Sequence, residues 1–131
     1  MNKPGKPIPQ FGELSRPYWE AAATGQLVLQ QCTACGTVRH YPRLLCDLCY
    51  SDAVTWQPAS GAGRVHSWTV AHHAFHPGFA AELPYVLVTV DLDAGVRALG
   101  RWQGVTPAIG QPVQGRFVPR EGTADLVFEP A

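Results

Sequence analysis

The sequence predicts a mainly β protein in three parts: a short N-terminal helix, a four-cysteine metal module and a five-stranded barrel. The first observation is that all four cysteines lie between residues 32 and 49, in two Cys-x-x-Cys pairs. The second is that the chain after Pro58 consists of short apolar runs separated by Gly and Pro turns, which is typical of small antiparallel barrels. The five-stranded OB-fold is the natural candidate for that barrel.

Three segments are expected along the chain: an extended arm at 1–13, the helix and the cysteine module at 14–58, and the barrel at 59–131. The arm is rich in Pro, Gly and Lys, so it is ordered only if something holds it. Arg16–Thr24 predicts a short helix, because its proline suits the first turn and the following glycine suits the exit.

This helix carries an apolar stripe that includes Tyr18 and Trp19. So short a helix is not stable alone in water, so it must pack on a surface. Two interpretations are open. Either that surface belongs to the same chain, or Tyr18 or Trp19 reaches a partner protein.

Cys32, Cys35, Cys46 and Cys49 have the spacing of a metal site. Two Cys-x-x-Cys turns that face each other place four thiolates at the corners of a tetrahedron, which suits zinc. Four protein ligands leave no position for water or substrate, so we predict one structural zinc ion per chain, whose binding supplies folding free energy on the order of 10 kcal/mol. A rubredoxin-like iron site, with its much longer spacer, and a thioredoxin-type dithiol, with one pair, are the weaker alternatives.

Three residues between the two cysteine pairs could also serve the metal site. Zinc with four thiolates carries a net negative charge, which Arg39 and Arg43 could offset. His40 is a nitrogen ligand in principle, although the four cysteines already complete a tetrahedral site.

The strand pattern supports the barrel. Short strands are expected beside the cysteines at 27–29 and 54–56, and barrel strands at 64–72, 84–93, 96–102, 112–119 and 124–128. The second barrel strand has period two, which places on one face Val86, Val88, Val90 and Leu92. The bends of a tightly curled sheet are expected at Gly100, Gly104 and Gly115.

Four histidines crowd the segment RVHSWTVAHHAFHPGF: His66, His72, His73 and His76. They could form a second metal site or supply a general base, but the segment has no Asp, Glu or Cys at ligand spacing. The simpler interpretation is that they are polar strand and loop residues. Phe75 and Phe79 alternate with histidine in a loop that should project from the barrel, and such an apolar loop is more typical of an interface than of a solvated turn.

Composition and charge argue against some classes of function. The formal net charge is +0 at pH 7, which argues against a protein that grips a polyanion, because non-specific nucleic-acid affinity comes from neutralised phosphates. No apolar run approaches the roughly 20 residues of a membrane helix, and the first residues, MNKPGKPIPQFGEL, lack the apolar stretch of a signal peptide. We therefore expect a cytoplasmic protein, in which paired cysteines bind metal rather than form disulfides.

Several motifs together resemble a known family. They are, in order, PYWEAAATGQLVLQQCTACGTVRHYPRLLCDLC, GAGRVHSWTVAHHAFHPGF, PYVLVTVDLDAGVRALG, IGQPVQGRF and a final Phe-Glu-Pro-Ala. Residues 14–131 resemble the acyl-CoA-associated zinc-ribbon plus OB-fold family, domain-of-unknown-function family thirty-five, in which an aromatic helix and a rubredoxin-like ribbon precede the barrel. The chain has Cys-Asp-Leu-Cys where the family often has Cys-Pro-x-Cys, and Tyr41-Pro42 where Pro-Pro is common; neither departure removes a ligand.

The resemblance implies an accessory role rather than catalysis. Family members accompany thiolase-fold enzymes, namely thiolases, hydroxymethylglutaryl-CoA synthases, acyltransferases and aldolases, and some are paired with hot-dog-fold hydratases, as in steroid side-chain degradation. It implies that the four cysteines bind zinc, and that ribbon and helix dock on the partner in a complex such as a heterotetramer. It also implies that the barrel helps to shape a channel for the CoA arm or the acyl group. By the same resemblance, the loop from His72 to Phe79 faces the partner or the substrate, and Arg64 and Arg97 contact CoA phosphates.

Two other functions stay open at this point. Zinc ribbons and OB-folds also bind nucleic acid, although this chain lacks a basic stripe and a clear stacking platform. The chain could also bind or hydrolyse acyl-CoA thioesters by itself. The fold alone does not decide between these functions.

Overall fold

The computed structural model describes residues 6–131, so residues 1–5 of the predicted arm lie outside the described residues. Helix α1 spans Arg16–Ala23 with its proline in the first turn, and no helix in this part of the chain is long and apolar enough to cross a membrane. A three-stranded antiparallel sheet, the ribbon, follows in the order β2-β1-β3. Its strands are β1 (Leu27–Cys32), β2 (Val38–Arg39) and β3 (Val54–Ala59).

Five further strands form a closed barrel in the order β4-β5-β6-β8-β7. They are β4 (Ala62–Ala71), β5 (Tyr85–Leu92), β6 (Arg97–Trp102), β7 (Pro112–Arg120) and β8 (Thr123–Pro130). Neighbouring strands are antiparallel except β6 and β8, which are parallel. This five-stranded barrel is the OB-fold, so the predicted fold class is confirmed. The predicted segment boundary at 58 falls beside the last residue of β3 and stays a prediction.

The interior of the barrel is filled from the face of β5 that the alternation predicted. Val88 and Val90 on that face are fully buried, and so is Phe128 of β8. A Cβ atom on Gly100 would come within 2.6 Å of the Phe128 ring, and one on Gly115 would come within 2.7 Å. Both glycines are therefore required by the packing of one aromatic ring.

The structure differs from the sequence prediction at three places. β2 was not expected, because two residues are too few for a periodic pattern. A 3-10 helix at Pro77–Glu82 was also missed, and His76 caps it by accepting a hydrogen bond at Nδ1 from the Gly78 N–H at 3.0 Å. The prediction for Gly104 was wrong, since this residue lies in the loop after β6 rather than in a bend of the sheet.

Helix α1 packs on the core of its own chain. Tyr18 is only 8% exposed and belongs to the same hydrophobic cluster as Leu29 of the ribbon and Val65 of the barrel. Its ring meets Phe117 edge-on, with centroids 6.1 Å apart. The hypothesis that Tyr18 reaches a partner protein is therefore wrong, because its ring is buried in the core that ribbon and barrel share.

The described part of the arm is held against the barrel. Lys6 Nζ pairs with Glu82 at 2.7 Å, and the carbonyl of Pro7 accepts a hydrogen bond from Arg120 at 2.8 Å. The side chain of Ile8 lies over Gly122 in the turn between β7 and β8. These contacts hold residues 6–8, as an arm without its own core requires.

Candidate metal centre and aromatic groove

The four cysteines converge at the ribbon. Their Sγ atoms all lie within 4.8 Å of one another, with 3.5 Å between Cys32 and Cys49 and 3.6 Å between Cys35 and Cys46. Cys32 and Cys46 are buried, and the other two are exposed. The structure thus brings together all four residues that the sequence predicted as ligands.

The sulfur geometry fits zinc. Four Zn–S bonds of about 2.3 Å give a tetrahedron with edges of about 3.8 Å, close to the shorter sulfur separations. The backbone N–H of Cys35 lowers the pKa of Cys32, and the N–H of Cys49 lowers the pKa of Cys46. Because zinc binds the thiolate form, these amides favour metal binding at Cys32 and Cys46.

No second metal site accompanies this one in the part of the chain that the structure describes. Within residues 6–131, no other group of three or more His, Cys, Asp or Glu side chains has ligand atoms close enough to share an ion. The four thiolates leave no open position on the metal, so the centre suits a structural rather than a catalytic zinc.

Gln30 ties the ribbon to the segment between the two cysteine pairs. Its Oε1 accepts hydrogen bonds from Arg39 Nε at 2.8 Å and from the backbone N–H of Arg43 at 2.8 Å. Arg39, which lies in β2 and is buried, also donates through Nη2 to the Arg43 carbonyl at 3.2 Å. Arg39 therefore has a structural role through its side chain and Arg43 through its backbone, and their offset of the thiolate charge stays a prediction.

His40 is a packing residue. Its ring centroid lies 5.5 Å from that of Tyr18 and 3.8 Å from that of Tyr41. Burial lowers the pKa of His40 to about 4, so the imidazole is neutral at physiological pH. It does not belong to the group of metal ligands.

We expect the folded chain to lose stability as the pH falls from 6.5 towards about 4. The unfolded chain binds a proton at His40 over this range and the folded chain does not, so unfolding becomes easier by roughly 1 kcal/mol per pH unit. Thermal unfolding of the zinc-saturated protein at several pH values measures this slope. A His40→Phe variant keeps the ring stacking without the titration, and an undiminished slope in that variant would contradict the assignment.

A groove of about 680 Å³ lies between the ribbon, helix α1 and the barrel. It opens where β6 and β8 separate, because these strands pair only at Arg101–Trp102 and Val127–Phe128. Tyr41, from the segment between the cysteine pairs, accepts a hydrogen bond at its hydroxyl from the Leu99 N–H at 2.8 Å. We call this site the aromatic groove, because it is lined by Tyr18, Trp19, Tyr41, Phe79, Tyr85 and Trp102.

One end of the aromatic groove is charged. Glu82 pairs with Lys6 at 2.7 Å and with Arg101 at 2.9 Å, and the Arg101 guanidinium lies 4.1 Å from the centroid of the Tyr85 ring. Partial burial raises the pKa of Glu82, but the two cations outweigh that effect and leave the pKa below its ordinary value. Two cations against one carboxylate give this end a net positive charge.

Sequence reasoning placed Tyr18, Trp19 and Phe79 among candidate interface residues but missed the rest of the groove. Tyr41, Tyr85 and Arg101 come together only because the barrel closes against the ribbon. One signal was available: the outward face of β5 begins with Tyr85 and Leu87, where a solvated face would carry polar residues.

The histidine-rich segment does not assemble into one site. His72, His73 and Phe75 lie in the exposed connection before the 3-10 helix, and Phe75 is 88% exposed. The rings of His73 and Phe75 meet edge-on, with centroids 4.8 Å apart. His66 lies apart from them, with its Nδ1 3.2 Å from Asp91 Oδ2.

Arg64 and Arg97 lie on either side of Asp91 in one row across β4, β5 and β6. Arg97 Nε donates to Asp91 at 2.8 Å, and this hydrogen bond lowers the pKa of Asp91. Arg64 Nη1 donates to the Gly110 carbonyl at 3.1 Å. Arg97 thus already has a carboxylate partner, whereas Arg64 bonds only a neutral carbonyl in these contacts.

Comparison with known proteins agrees with this architecture. A family model for the rubredoxin-like zinc ribbon domain of ChsH2 matches residues 19–55, and a model for the C-terminal OB-fold domain of ChsH2 matches residues 56–118. A solved structure, "Ltp2-ChsH2(DUF35) aldolase", superimposes with a TM-score of 0.84 at 36% identity, covering 94% of this chain and 98% of that chain. The chain belongs to the ChsH2/DUF35 family.

Other members of the ChsH2/DUF35 family have diverse names. The probable enoyl-CoA hydratase alpha subunit of Thermomonospora curvata is 38% identical over 130 residues, which is 96% of this chain but 40% of that protein. The chain therefore spans about two fifths of that curated relative. A DUF35 domain-containing scaffold protein of Methanocaldococcus jannaschii is 30% identical over 95 residues, 70% of this chain and 67% of that protein. The family thus includes subunits of hydratases and aldolases and a scaffold protein.

Proposed function

We propose that this chain is a non-catalytic accessory subunit that docks on a thiolase-superfamily enzyme, a thiolase, an acyltransferase or an aldolase such as a steroid side-chain aldolase. The observation that carries the proposal is the match, over 98% of the solved chain, to the structure of the Ltp2-ChsH2(DUF35) aldolase. The scaffold name of the archaeal relative supports the same role. We place the protein in the cytoplasm, in keeping with its four unbridged cysteines.

The chemistry of the metal centre supports an accessory role. A zinc ion with four thiolate ligands has no position for a water molecule or a carbonyl oxygen, so it neither generates a nucleophile nor polarises a substrate. When bound, it contributes folding free energy and fixes the two cysteine turns. The role of the metal centre is therefore to stabilise the fold of the ribbon that docks on the partner.

The aromatic groove is our candidate for the part of the chain that meets the acyl-CoA substrate in the complex. Its aromatic lining suits an apolar acyl group, and the positive end at Lys6 and Arg101 suits a carboxylate or phosphate oxygen. Arg64 is a further candidate for a CoA phosphate contact, and Arg97 a weaker one because Asp91 already pairs with it. Trp19 and the His72–Phe79 loop are candidates for contact with the partner enzyme.

A hot-dog-fold hydratase is a second candidate partner. Its support is the similarity of this chain to the probable enoyl-CoA hydratase alpha subunit of Thermomonospora curvata, in which the similar region makes up 40% of the protein. We propose that such a partner binds in addition to the thiolase-fold enzyme, in a hetero-oligomer that could be a heterotetramer.

Co-purification tests the proposed function. A tagged chain isolated from its own host without chelator, and examined by native mass spectrometry, should carry one zinc ion and a thiolase-superfamily enzyme in fixed ratio. Isolation alone, or with nucleic acid, would contradict the proposal. In the second case, binding of the pure chain to single-stranded oligonucleotides would favour the nucleic-acid alternative.

A further inference from the structure

The two cysteine turns of the ribbon have the same backbone hydrogen bonds. In the first turn, the Gly36 N–H donates to the Cys32 carbonyl at 2.8 Å, and in the second the Tyr50 N–H donates to the Cys46 carbonyl at 2.9 Å. The next residues also correspond, because the N–H of each leading cysteine donates to the carbonyl of Thr37 or of Ser51, both at 2.9 Å. Tyr50 therefore occupies the position that Gly36 occupies in the first turn.

This position requires a left-handed backbone. Gly36 has a φ of 79°, and Tyr50 has a φ of 62°, the only positive φ of a non-glycine residue within residues 6–131. Glycine adopts this conformation freely, whereas a tyrosine pays about 1–2 kcal/mol for it. The second turn thus has a strained tyrosine at this position. The first turn has glycine at the same position, which adopts the conformation without strain.

The ring of Tyr50 contributes no aromatic packing inside the described part of the chain that would offset this strain. Tyr50 is 76% exposed, and its ring stacks on none of the aromatic side chains of residues 6–131. A strained residue that persists without internal packing points to a functional contact outside the chain. Tyrosine is also a residue type that is enriched at the energetic centre of protein interfaces.

Three exposed leucines precede Tyr50 in the chain. Leu44 is 70% exposed, Leu45 48% and Leu48 68%. We call these three leucines and Tyr50 the knuckle tip. The metal turns and not a hydrophobic core hold this part of the chain, so folding does not require its apolar side chains. Arg43 and Asp47 pair at 3.4 Å and offset each other, whereas the exposed Asp52, two residues after Tyr50, adds a negative charge beside the tip.

We propose that the knuckle tip is the anchor by which this chain docks, and that it inserts into a concave, apolar surface of the partner enzyme with the Tyr50 ring at its centre. The proposal rests on the accessory function proposed above and names the surface that performs it. It moves the centre of the interface away from the His72–Phe79 loop and to the second cysteine turn.

The lack of an unmatched basic residue beside the tip narrows the kind of partner. A nucleic acid or an anionic membrane would need basic residues beside the apolar ones, and the single arginine next to the tip is matched by Asp47. The apolar tip therefore fits an apolar surface of a protein better than a nucleic acid or an anionic membrane. Such surfaces between proteins are most effective when they enclose an aromatic anchor away from water.

The size of the tip argues against a second copy of this chain. A stable interface takes roughly 800 Å² from each partner, and four projecting side chains supply only part of that area. Two convex tips that met across a two-fold axis would touch little else. A concave surface on another protein would surround the tip and could extend to Tyr41, which is half-exposed beside the aromatic groove.

Tyr50→Asn separates docking from folding. Asparagine tolerates a positive φ better than tyrosine, so the variant should keep one zinc ion and an unchanged or higher melting temperature. We expect its affinity for the enzyme that co-purifies with the unchanged chain, once identified and purified, to fall about tenfold or more. The Kd is measured by biolayer interferometry. Ile109→Asn is the matched control, since Ile109 is 69% exposed in the loop between β6 and β7 and does not belong to the knuckle tip, and it should bind normally.

The possible outcomes distinguish the knuckle-tip anchor from the accessory function on which it rests. Weakened binding by Tyr50→Asn with normal binding by Ile109→Asn supports the knuckle tip as anchor. Equal binding by both variants and the unchanged chain overturns the anchor and leaves the accessory function intact. If the unchanged chain binds no enzyme, both proposals fall. If sedimentation shows that the unchanged chain self-associates through Tyr50, a second copy is the occupant and the inference is wrong.

Discussion

Replacing Cys46 with serine is expected to abolish zinc binding and to prevent the chain from folding stably. The Cys46 Sγ is fully buried and lies 3.6 Å from that of Cys35. A four-thiolate zinc site supplies folding free energy on the order of 10 kcal/mol, and the small ribbon has no comparable source of its own. Since an entire small domain is stable by only about 5–15 kcal/mol, loss of the metal is enough to unfold the ribbon.

Unfolding of the ribbon should also destabilise the barrel. Leu27 and Leu29 of β1 belong to the same hydrophobic cluster as Val65 and Val113 of the barrel. An unfolded ribbon would therefore expose one wall of the barrel core. Zinc content by elemental analysis and the yield of soluble protein measure both effects.

Thr33→Ser is the matched control for Cys46→Ser. It makes a small change in the first cysteine turn at an exposed residue that is not a metal ligand, and it should keep one zinc ion. A Cys46→Ser chain that folds, binds its partner and lacks zinc would show that the metal is dispensable.

Gly100→Ala is expected to destabilise the barrel by about 2 kcal/mol or more, because overpacking of a well-filled core typically costs 1–3 kcal/mol. The new methyl group would lie 2.6 Å from the Phe128 ring and 3.0 Å from the Leu126 carbonyl oxygen. The ring cannot move away, since Gly115 holds its other edge. Chemical denaturation of the zinc-loaded protein measures the loss.

Two companion variants show whether the Phe128 ring is the cause. Gly12→Ala adds a methyl group where no atom lies within 4 Å, so it should be nearly neutral. Phe128→Leu makes room in the barrel, so the double variant with Gly100→Ala should lose less stability than the sum of the two single changes. Strict additivity would mean that the clash with the ring is not what makes Gly100 necessary.

The parts that the sequence predicted well are those with local signals. The cysteine spacing alone identified all four members of the sulfur cluster. Period-two alternation in β5 correctly placed Val88, Val90 and Leu92 inside the barrel. The helix was visible through its proline and following glycine, although the hypothesis about Tyr18 failed because an apolar stripe does not say which surface covers it.

The parts that the sequence did not predict depend on contacts between distant segments. Tyr41 completes the aromatic groove by bonding the backbone of Leu99, 58 positions along the chain. The need for Gly100 becomes visible only when Phe128 lies against it. The strain at Tyr50 could have been suspected by aligning its turn with Cys32-x-x-Cys35-Gly36, but only the backbone angles show that the two positions are equivalent.

The most direct test of the accessory function is to measure acyl-CoA thioester turnover by the purified chain, by the purified partner enzyme and by their complex. We expect no turnover by the chain alone, reduced turnover or no soluble enzyme for the partner alone, and full activity for the complex. Turnover by the chain alone at the rate of the complex would show that it is itself the catalyst, and it would contradict the non-catalytic role proposed here.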